Sequence, residues 1–383
     1  MQLRKNIDLN MIVQSIPSLI ISLIGLTLSG RKLDIEQMQE FANKFPILLL
    51  SNCMLTFKGN AELIFAMHLS SFSQIKNLNS MHYIRYAFDN SCLVLAQSIV
   101  IGLSVGILGF ARNVILNVYD IQFLSHIAFI CLFSAFLSSL AIITMLIPSV
   151  LIAVRIGANP DNIVLPVISS FGDFLDILIL IYSIKKFQYM DTIYSNLWTI
   201  SILLLLPILV YISVASEYRV PIQSFYILVI TYVLSTTSSY MVQFLSKKHL
   251  LLASSTPIFC GLTGSITYIY LNKRITSMQN LTPHNRKRSY LTLIFTSIII
   301  TCITIGMLPL IGIHTKKTFG MLFIFGFIVS VCFLMRIVEV ILKFYTEDAT
   351  NVGVVSLPLI TSISDFIGSL ILIFASITVY GYR

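Results

Sequence analysis

Residues 155–162 read Arg155-Ile156-Gly157-Ala158-Asn159-Pro160-Asp161-Asn162. Pro166 follows, then Ser170-Phe171-Gly172-Asp173-Phe174-Leu175-Asp176, and the stretch closes on the apolar run Ile177-Leu178-Ile179-Leu180-Ile181. Residues 162–185 are long and apolar enough to cross a hydrocarbon core, which takes about 20 residues of helix. Two aspartates nevertheless stand inside the run. A charged side chain at mid-bilayer costs roughly 2.5–3.5 kcal/mol on insertion scales, so each one kept there needs a reason.

The rest of the chain has the same apolar character. Of 383 residues 56% are hydrophobic and 11% charged, with mean hydropathy +0.89. A soluble globular domain carries about 25% charged residues. This chain cannot cover a water-facing surface of its own size, so lipid must be the solvent for most of its exterior. The fold class is all-α, a polytopic membrane protein. About eleven spans are predicted, at 10–29, 43–69, 86–110, 123–153, 162–185, 195–216, 222–245, 250–271, 289–313, 319–345 and 353–380. Gaps between them are short, and none is polar enough for a separate soluble domain. Arg4 and Lys5 precede the first run, but Ser29-Gly30-Arg31-Lys32 reads as a helix end and not as a processing site.

The net charge of +9 is spread between the apolar runs, which suits headgroup contact and membrane orientation. No continuous basic stripe is present, so nucleic-acid binding is excluded. The clusters Arg4/Lys5, Lys76/Arg85, Arg155, Arg219 and Arg286-Lys287-Arg288 fall on one side, and Lys185/Lys186, Lys247/Lys248 and Lys316/Lys317 on the other. The strongest cluster shares the side of the N-terminus, which places that end in the cytosol. The six cysteines lie in or beside apolar runs without a CxxC pair, so neither a disulfide framework nor a zinc site is indicated.

An internal repeat organises the spans. Lys58-Gly59-Asn60 and Thr263-Gly264-Ser265 correspond at an offset of 205 residues, and His68 and Lys273 follow each polar residue by eight positions. Pro166 with Gly172-Asp173 matches Pro358 with Ser364-Asp365, the aspartate seven residues after the proline in both. Residues 10–185 and 222–380 form two five-helix repeats, with a linking helix at 195–216. An odd repeat followed directly by its twin would be inverted; the extra helix makes the two parallel. Transporters built from parallel repeats place the substrate site at the repeat interface.

Asp173 and Asp365 are the strongest candidates for that site. Pro166 frees a backbone carbonyl in the first turns of its helix, and Gly172 allows close approach of a backbone or an ion. Two carboxylates facing a shared aqueous path suit a hard, largely hydrated cation. Asp176, on the same helix face as Asp173, is a second ligand or a polar neighbour. Glu62 and Asn60 follow Gly59 at an expected helix interruption and would line the pathway, since broken helices expose carbonyls only where they border a cavity. Pro257, Gly261, Gly264 and Pro358 are the matching hinge positions. Arg336 and Glu339, at i,i+3, read as a mutually neutralising pair.

At these residues the chain resembles the MgtE-type magnesium channels and transporters, in particular their eukaryotic solute-carrier relatives with two fused repeats. The stretch from Ile156-Gly157 through Asn159-Pro160-Asp161-Asn162 to Gly172-Asp173 is similar to that family's IG-x-NPDN, proline, GD run. Lys58-Gly59-Asn60-Ala61-Glu62 resembles its KGN-x-E, and Thr256-Pro257 with Gly261 and Gly264 its second-repeat TP motif. The second half departs further: Thr263 and Ser265 replace a glycine and an asparagine of GGN, Ser364 the glycine before Asp365, and only Glu347-Asp348-Ala349-Thr350-Asn351 is left of the second NPDN. His68 stands where the family has arginine. The resemblance implies Mg²⁺ movement, electrodiffusive or Na⁺-coupled, past the GD aspartates. It also implies a location in the plasma membrane ahead of an organelle, and no cofactor; oxygen ligands do not separate Mg²⁺ from Mn²⁺, Co²⁺ or Zn²⁺. Two fused repeats supply in one chain what a dimer of single repeats supplies, so a monomer with pseudo-twofold symmetry suffices.

Two rival classes remain. An intramembrane enzyme would need a constellation such as HExxH or G-x-S-x-G, and neither is present; the chain is read as no enzyme. A degenerate, non-transporting homologue acting as a membrane partner or scaffold is the alternative that the eroded second repeat keeps open.

Overall fold

The computed structural model describes residues 8–73, 80–115, 121–156, 160–215, 223–246, 249, 251–279, 285–309, 316–344 and 349–381. Among them run eleven long helices: α1 Leu9–Gln37, α2 Ile47–Ser73, α3 Ser80–Ile115, α4 Ile121–Arg155, α5 Pro160–Phe187, α6 Thr192–Ala215, α7 Gln223–Ser246, α8 Leu251–Gln279, α9 Arg286–Met307, α10 Lys317–Phe344 and α11 Ala349–Tyr380. A 3₁₀ turn, Glu40–Asn43, joins α1 to α2. The helix order agrees with the sequence segment by segment, and the chain is a multi-pass, all-α membrane protein.

Eight helices are long and apolar enough to cross a bilayer by composition. The three that fall short are α2, α7 and α8. α2 and α8 are central, and α7 turns Ser235, Ser238 and Ser239 inward. α2 packs on α3, α5, α7 and α11, and α8 packs on α1, α10 and α11. Their polar side chains are therefore kept from lipid by neighbouring helices, where a polar group finds partners. The opposite case is α6, which rests on α3 and α4 with most of its surface outward.

The contacts recur in a pattern. α1 lies against α5 and α8, while α7 lies against α11 and α2. Advancing each helix number by six turns α1 into α7, α5 into α11 and α2 into α8.

Small residues set the tight contacts. On α3, a Cβ added at Gly102 or Gly106 would stand 2.7 Å from the Cα of Leu132 or Ala128 on α4, the close backbone approach of a GxxxG face. Many buried hydroxyls are satisfied within their own helices. Ser15 donates to the Met11 carbonyl at 2.7 Å, Ser91 to Ala87 at 2.6 Å and Thr301 to Ser297 at 2.6 Å. This back-bonding lets a helix carry serine and threonine through an apolar interior.

Three local expectations are corrected. The helix end expected at Ser29-Gly30 is absent, because α1 continues to Gln37 and Gly30 is where the α8 backbone comes closest. The interruption expected after Gly59-Asn60 is absent too, since α2 is unbroken from Ile47 to Ser73. One glycine costs a helix only about 1 kcal/mol, and Asn60 bonds to α11 instead of competing for its own backbone. Arg336 and Glu339 do not pair. Glu339 is held by Arg274 of α8 at 2.7 Å and Arg336 lies over the Tyr290 ring.

Candidate functional site

A cavity of about 80 Å³ lies among α2, α5, α7, α8 and α11. That is room for several waters, since one needs roughly 10–15 Å³ on this measure. α7 contributes Ser238 and Ser239; each of the other four offers a stripe of residues three or four apart, the spacing that puts side chains on one face. On α2 the stripe is Asn52, Thr56, Gly59-Asn60 and Leu63; on α8 it is Thr256-Pro257, Cys260-Gly261, Gly264 and Tyr268. On α11 it is Thr361, Asp365 and Ser369, and on α5 Ser169 and Asp173.

The two aspartates stand at mid-helix. Asp173 is the fourteenth of 28 residues in α5 and Asp365 the seventeenth of 32 in α11. Both line the same cavity. A smaller cavity of about 20 Å³, which Asp173, Gly59, Leu63 and Ser169 also border, continues beside Glu62. Asp173 thus stands between the two spaces.

Their surroundings differ. Asp365 accepts a hydrogen bond from Thr56 of α2 at 2.6 Å on its Oδ2. Its main-chain carbonyl accepts from Ser238 of α7 at 3.1 Å. Asp173 has no hydrogen bond or ion pair among the described residues, and its carboxylate faces the cavity. Asn60 is tied to α11, accepting from Thr361 and donating to Ser362 at 3.4 Å.

The remaining acids are engaged by Lys58. This lysine is fully buried. Its Nζ lies 2.6 Å from Asp176 Oδ1 and 2.7 Å from Glu62 Oε1, and Ser139 of α4 donates to Glu62 at 2.7 Å. A buried ammonium needs this company, because the desolvation of either charge alone is several kcal/mol. Asp176 does not line the cavity. Glu62 borders only the smaller space.

The structure therefore brings Asp173, Asp365, Asn60, Gly59, Pro257, Gly261 and Gly264 to one cavity. A Cβ added at Gly59 would meet nothing within 4 Å, as expected of a position open to the cavity. Gly172 is not there: it faces the Ile142 side chain of α4, 3.1 Å from where a Cβ would stand, so its small size serves helix packing. Pro358 is buried outside the lining, and its carbonyl accepts from Thr361 and Ser362 at 2.7 and 2.9 Å. Pro166 lies within α5, but its side chain and those of Asp161 and Asn162 are outside the described residues, as are Gly157 to Asn159. Among the described residues no group of three or more His, Cys, Asp or Glu is arranged to hold a metal ion. The oxygens on offer are two carboxylates with hydroxyl and amide groups, a set suited to an ion that keeps most of its water.

Comparison with known proteins points the same way. Residues 51–183, which run from α2 to α5 and carry Lys58, Asn60, Glu62, Asp173 and Asp176, match the family MgtE, described as a divalent cation transporter. Over that stretch the chain is similar to the MgtE-type proteins. Solute carrier family 41 member 3 of Rattus norvegicus is 22% identical over 92% of this chain and 84% of its own length. Solute carrier family 41 member 2 of Homo sapiens is 24% identical over 94% of this chain and 69% of its own length. No solved structure matches. The likeness is to a divalent cation transporter family and to solute carriers.

Sequence reasoning passed over Lys58 as a site residue, and with it Thr56 and Thr361. A signal existed for each. Lys58 and Glu62 are an i,i+4 pair inside an apolar span, and Thr56 and Thr361 each stand one turn before a residue already chosen.

Proposed function

We propose that this protein moves divalent cations, Mg²⁺ first, across a membrane through the cavity that Asp173 and Asp365 share. The observation that carries the reading is the Asp173 carboxylate, unpartnered at the middle of a membrane helix and facing a polar space that a second mid-helix aspartate also lines. A carboxylate in such a place has no structural duty to discharge. In this reading residues 10–185 and 222–380 are parallel five-helix repeats, 195–216 links them, and the ion passes along their interface in a single chain. The exchange of partners between α1 and α7 supports that arrangement.

The ion is held through its water shell by Asp173 and Asp365, with Asn60 and the threonine hydroxyls completing the ring. Lys58 occupies Asp176 and Glu62 and so keeps two further carboxylates from the ion. Conduction needs binding strong enough to admit the ion and weak enough to release it, and four free carboxylates around one divalent ion would hold it too well. The proposed setting is the plasma membrane with the N-terminus cytosolic.

The test is flux in liposomes containing the purified chain, with Mg²⁺, Mn²⁺, Co²⁺ and Zn²⁺ in turn, with and without a Na⁺ gradient. Mg²⁺ entry that Asp173→Asn removes while the protein stays folded supports the reading. A wild-type chain that moves none of the four ions indicates the scaffold alternative instead. Dependence on the Na⁺ gradient separates coupled exchange from a channel.

A further inference from the structure

A larger cavity, of about 490 Å³, opens between α8, α9 and α10 and shares no lining residue with the one between the aspartates. Its wall holds four cationic side chains, Arg286, Lys287, Arg336 and Lys343, and one carboxylate, Glu339. That carboxylate is already engaged. Arg274 grips both of its oxygens, at 2.7 and 3.2 Å, and Tyr270 donates to it at 2.6 Å. Arg286 reaches it only at 3.6 Å, with 61% of its side chain exposed. Lys287 and Lys343 have no ion-pair partner among the described residues. The cavity is thus positively charged in excess, with its one acid spent on a cation from behind.

Arg336 is the telling residue. α10 has 28 residues, about 42 Å of helix against a core of about 30 Å. Arg336 lies eight residues before its last residue, Phe344, roughly 12 Å along the axis; a helix centred on the core overhangs it by about 6 Å, so the Arg336 backbone falls about 6 Å inside the core edge, within reach of the headgroups for a long side chain. Its guanidinium is nevertheless exposed, laid over the Tyr290 ring at 5.5 Å, and Tyr290 is fixed by its own bond to the Cys332 carbonyl at 2.9 Å. Apolar side chains continue from the cavity along the same surface: Leu291 and Phe295 on α9 and Phe333 on α10 are about half exposed. A basic pocket at the headgroup level, set between spanning helices and above an open apolar face, has the chemistry of a lipid site.

We propose that this cavity binds an anionic phospholipid, with its phosphate groups on Arg286, Arg336 and Lys343 and its chains along Leu291, Phe295 and Phe333. The apolar face is what selects a lipid over a free phosphate compound, which would use the four cations alone.

The full-length protein in detergent provides the test. Its thermal unfolding midpoint is followed against dioctanoyl phosphatidylinositol bisphosphate, dioctanoyl phosphatidylcholine and soluble inositol trisphosphate. The anionic lipid is expected to raise the midpoint, and the neutral lipid to leave it in place. Arg336→Gln with Lys343→Gln should weaken the anionic lipid's binding by about thirtyfold, from the loss of two basic contacts at the headgroup level. Where that pair of changes prevents folding, Lys287→Gln with Lys343→Gln, both at exposed positions, gives the same readout. An equal response to lipid in wild type and variants overturns the proposal. A rise with inositol trisphosphate as large as with the lipid also overturns it, in favour of a soluble phosphate ligand.

Discussion

Thr56 of α2 donates to Asp365 of α11 at 2.6 Å, across 309 residues of sequence. The internal offset of 205 residues carries Thr56 onto Gly261, which has no hydroxyl to give. Asp173, the counterpart of Asp365, is accordingly without a donor. The two acids of the cavity are chemically unequal although they occupy the same level of their helices. If the ion passes as proposed, Asp173 is the acid that meets it without a competing donor, so Asp173→Asn should lower Mg²⁺ affinity more than Asp365→Asn. The loss of one charge-assisted contact is worth about 1.5–3 kcal/mol, or roughly ten- to a hundredfold. Concentration dependence of Mg²⁺ flux in liposomes measures both. Asp365→Asn proving the more damaging would sink this ordering.

Lys58 makes a different prediction, about stability. Removing one partner of a buried ion pair leaves the other charge unpaired and costs about 3–5 kcal/mol, whereas replacing the whole group by neutral residues is often harmless. Lys58→Met is expected to destabilise the protein by that order. Lys58→Met combined with Glu62→Gln and Asp176→Asn should recover most of the loss. The second half of the chain already shows a neutral version, because the offset sets Thr263 against Lys58 and Thr267 against Glu62. There Thr263 shares a hydrogen bond of 2.7 Å with Ser364 and no charge is present at either matched position. Thermal unfolding in detergent compares the variants, and a triple variant no more stable than Lys58→Met argues against the account.

The helices were legible in the sequence because span length is a direct consequence of bilayer thickness, and eleven apolar stretches separated by polar gaps admit few other readings. The cavity residues were legible in part. Asp173, Asp365 and Asn60 stood out because a polar group in an apolar run is costly, and cost is visible without coordinates. Partners were not. Asp176 finds its ammonium 118 residues away on another helix, and nothing local marks that choice. Arg336 and Glu339 show the failure most clearly. Their i,i+3 spacing suggested a pair, but Arg274 brought a two-pronged grip from α8 that a neighbour on the same helix cannot match. Gly30 misled for a related reason. A glycine before two basic residues looks like a helix end, and only the α8 backbone beside it explains the absent side chain.

That closeness is itself testable. A Cβ placed on Gly30 would lie 2.2 Å from the Ser254 carbonyl oxygen, a backbone atom that cannot turn aside. Gly30→Val must therefore push α1 away from α8, and overpacking of this kind costs about 1–3 kcal/mol. Gly306→Ala is the control, since a Cβ there meets nothing within 4 Å and alanine favours the helix. Unfolding midpoints should fall for the first and hold or rise for the second. A Gly30→Val protein as stable as wild type means that the two helices do not meet so closely.

Cys260 offers a readout of the cavity that does not depend on removing a charge. It lines the space between the aspartates and its thiol reaches toward the Asp365 carbonyl at 3.8 Å, whereas Cys53 and Cys131 are buried away from that space. With the other five cysteines replaced by serine, a water-soluble cationic methanethiosulfonate reagent should attach to Cys260 and block Mg²⁺ flux. The reagent and the ion would compete for one wet, negatively charged space of about 80 Å³. Added Mg²⁺ should therefore slow the modification, and Cys260→Ser should make flux insensitive to the reagent. Modification that proceeds at the same rate with and without Mg²⁺, and leaves flux intact, would show that ions do not travel past this residue.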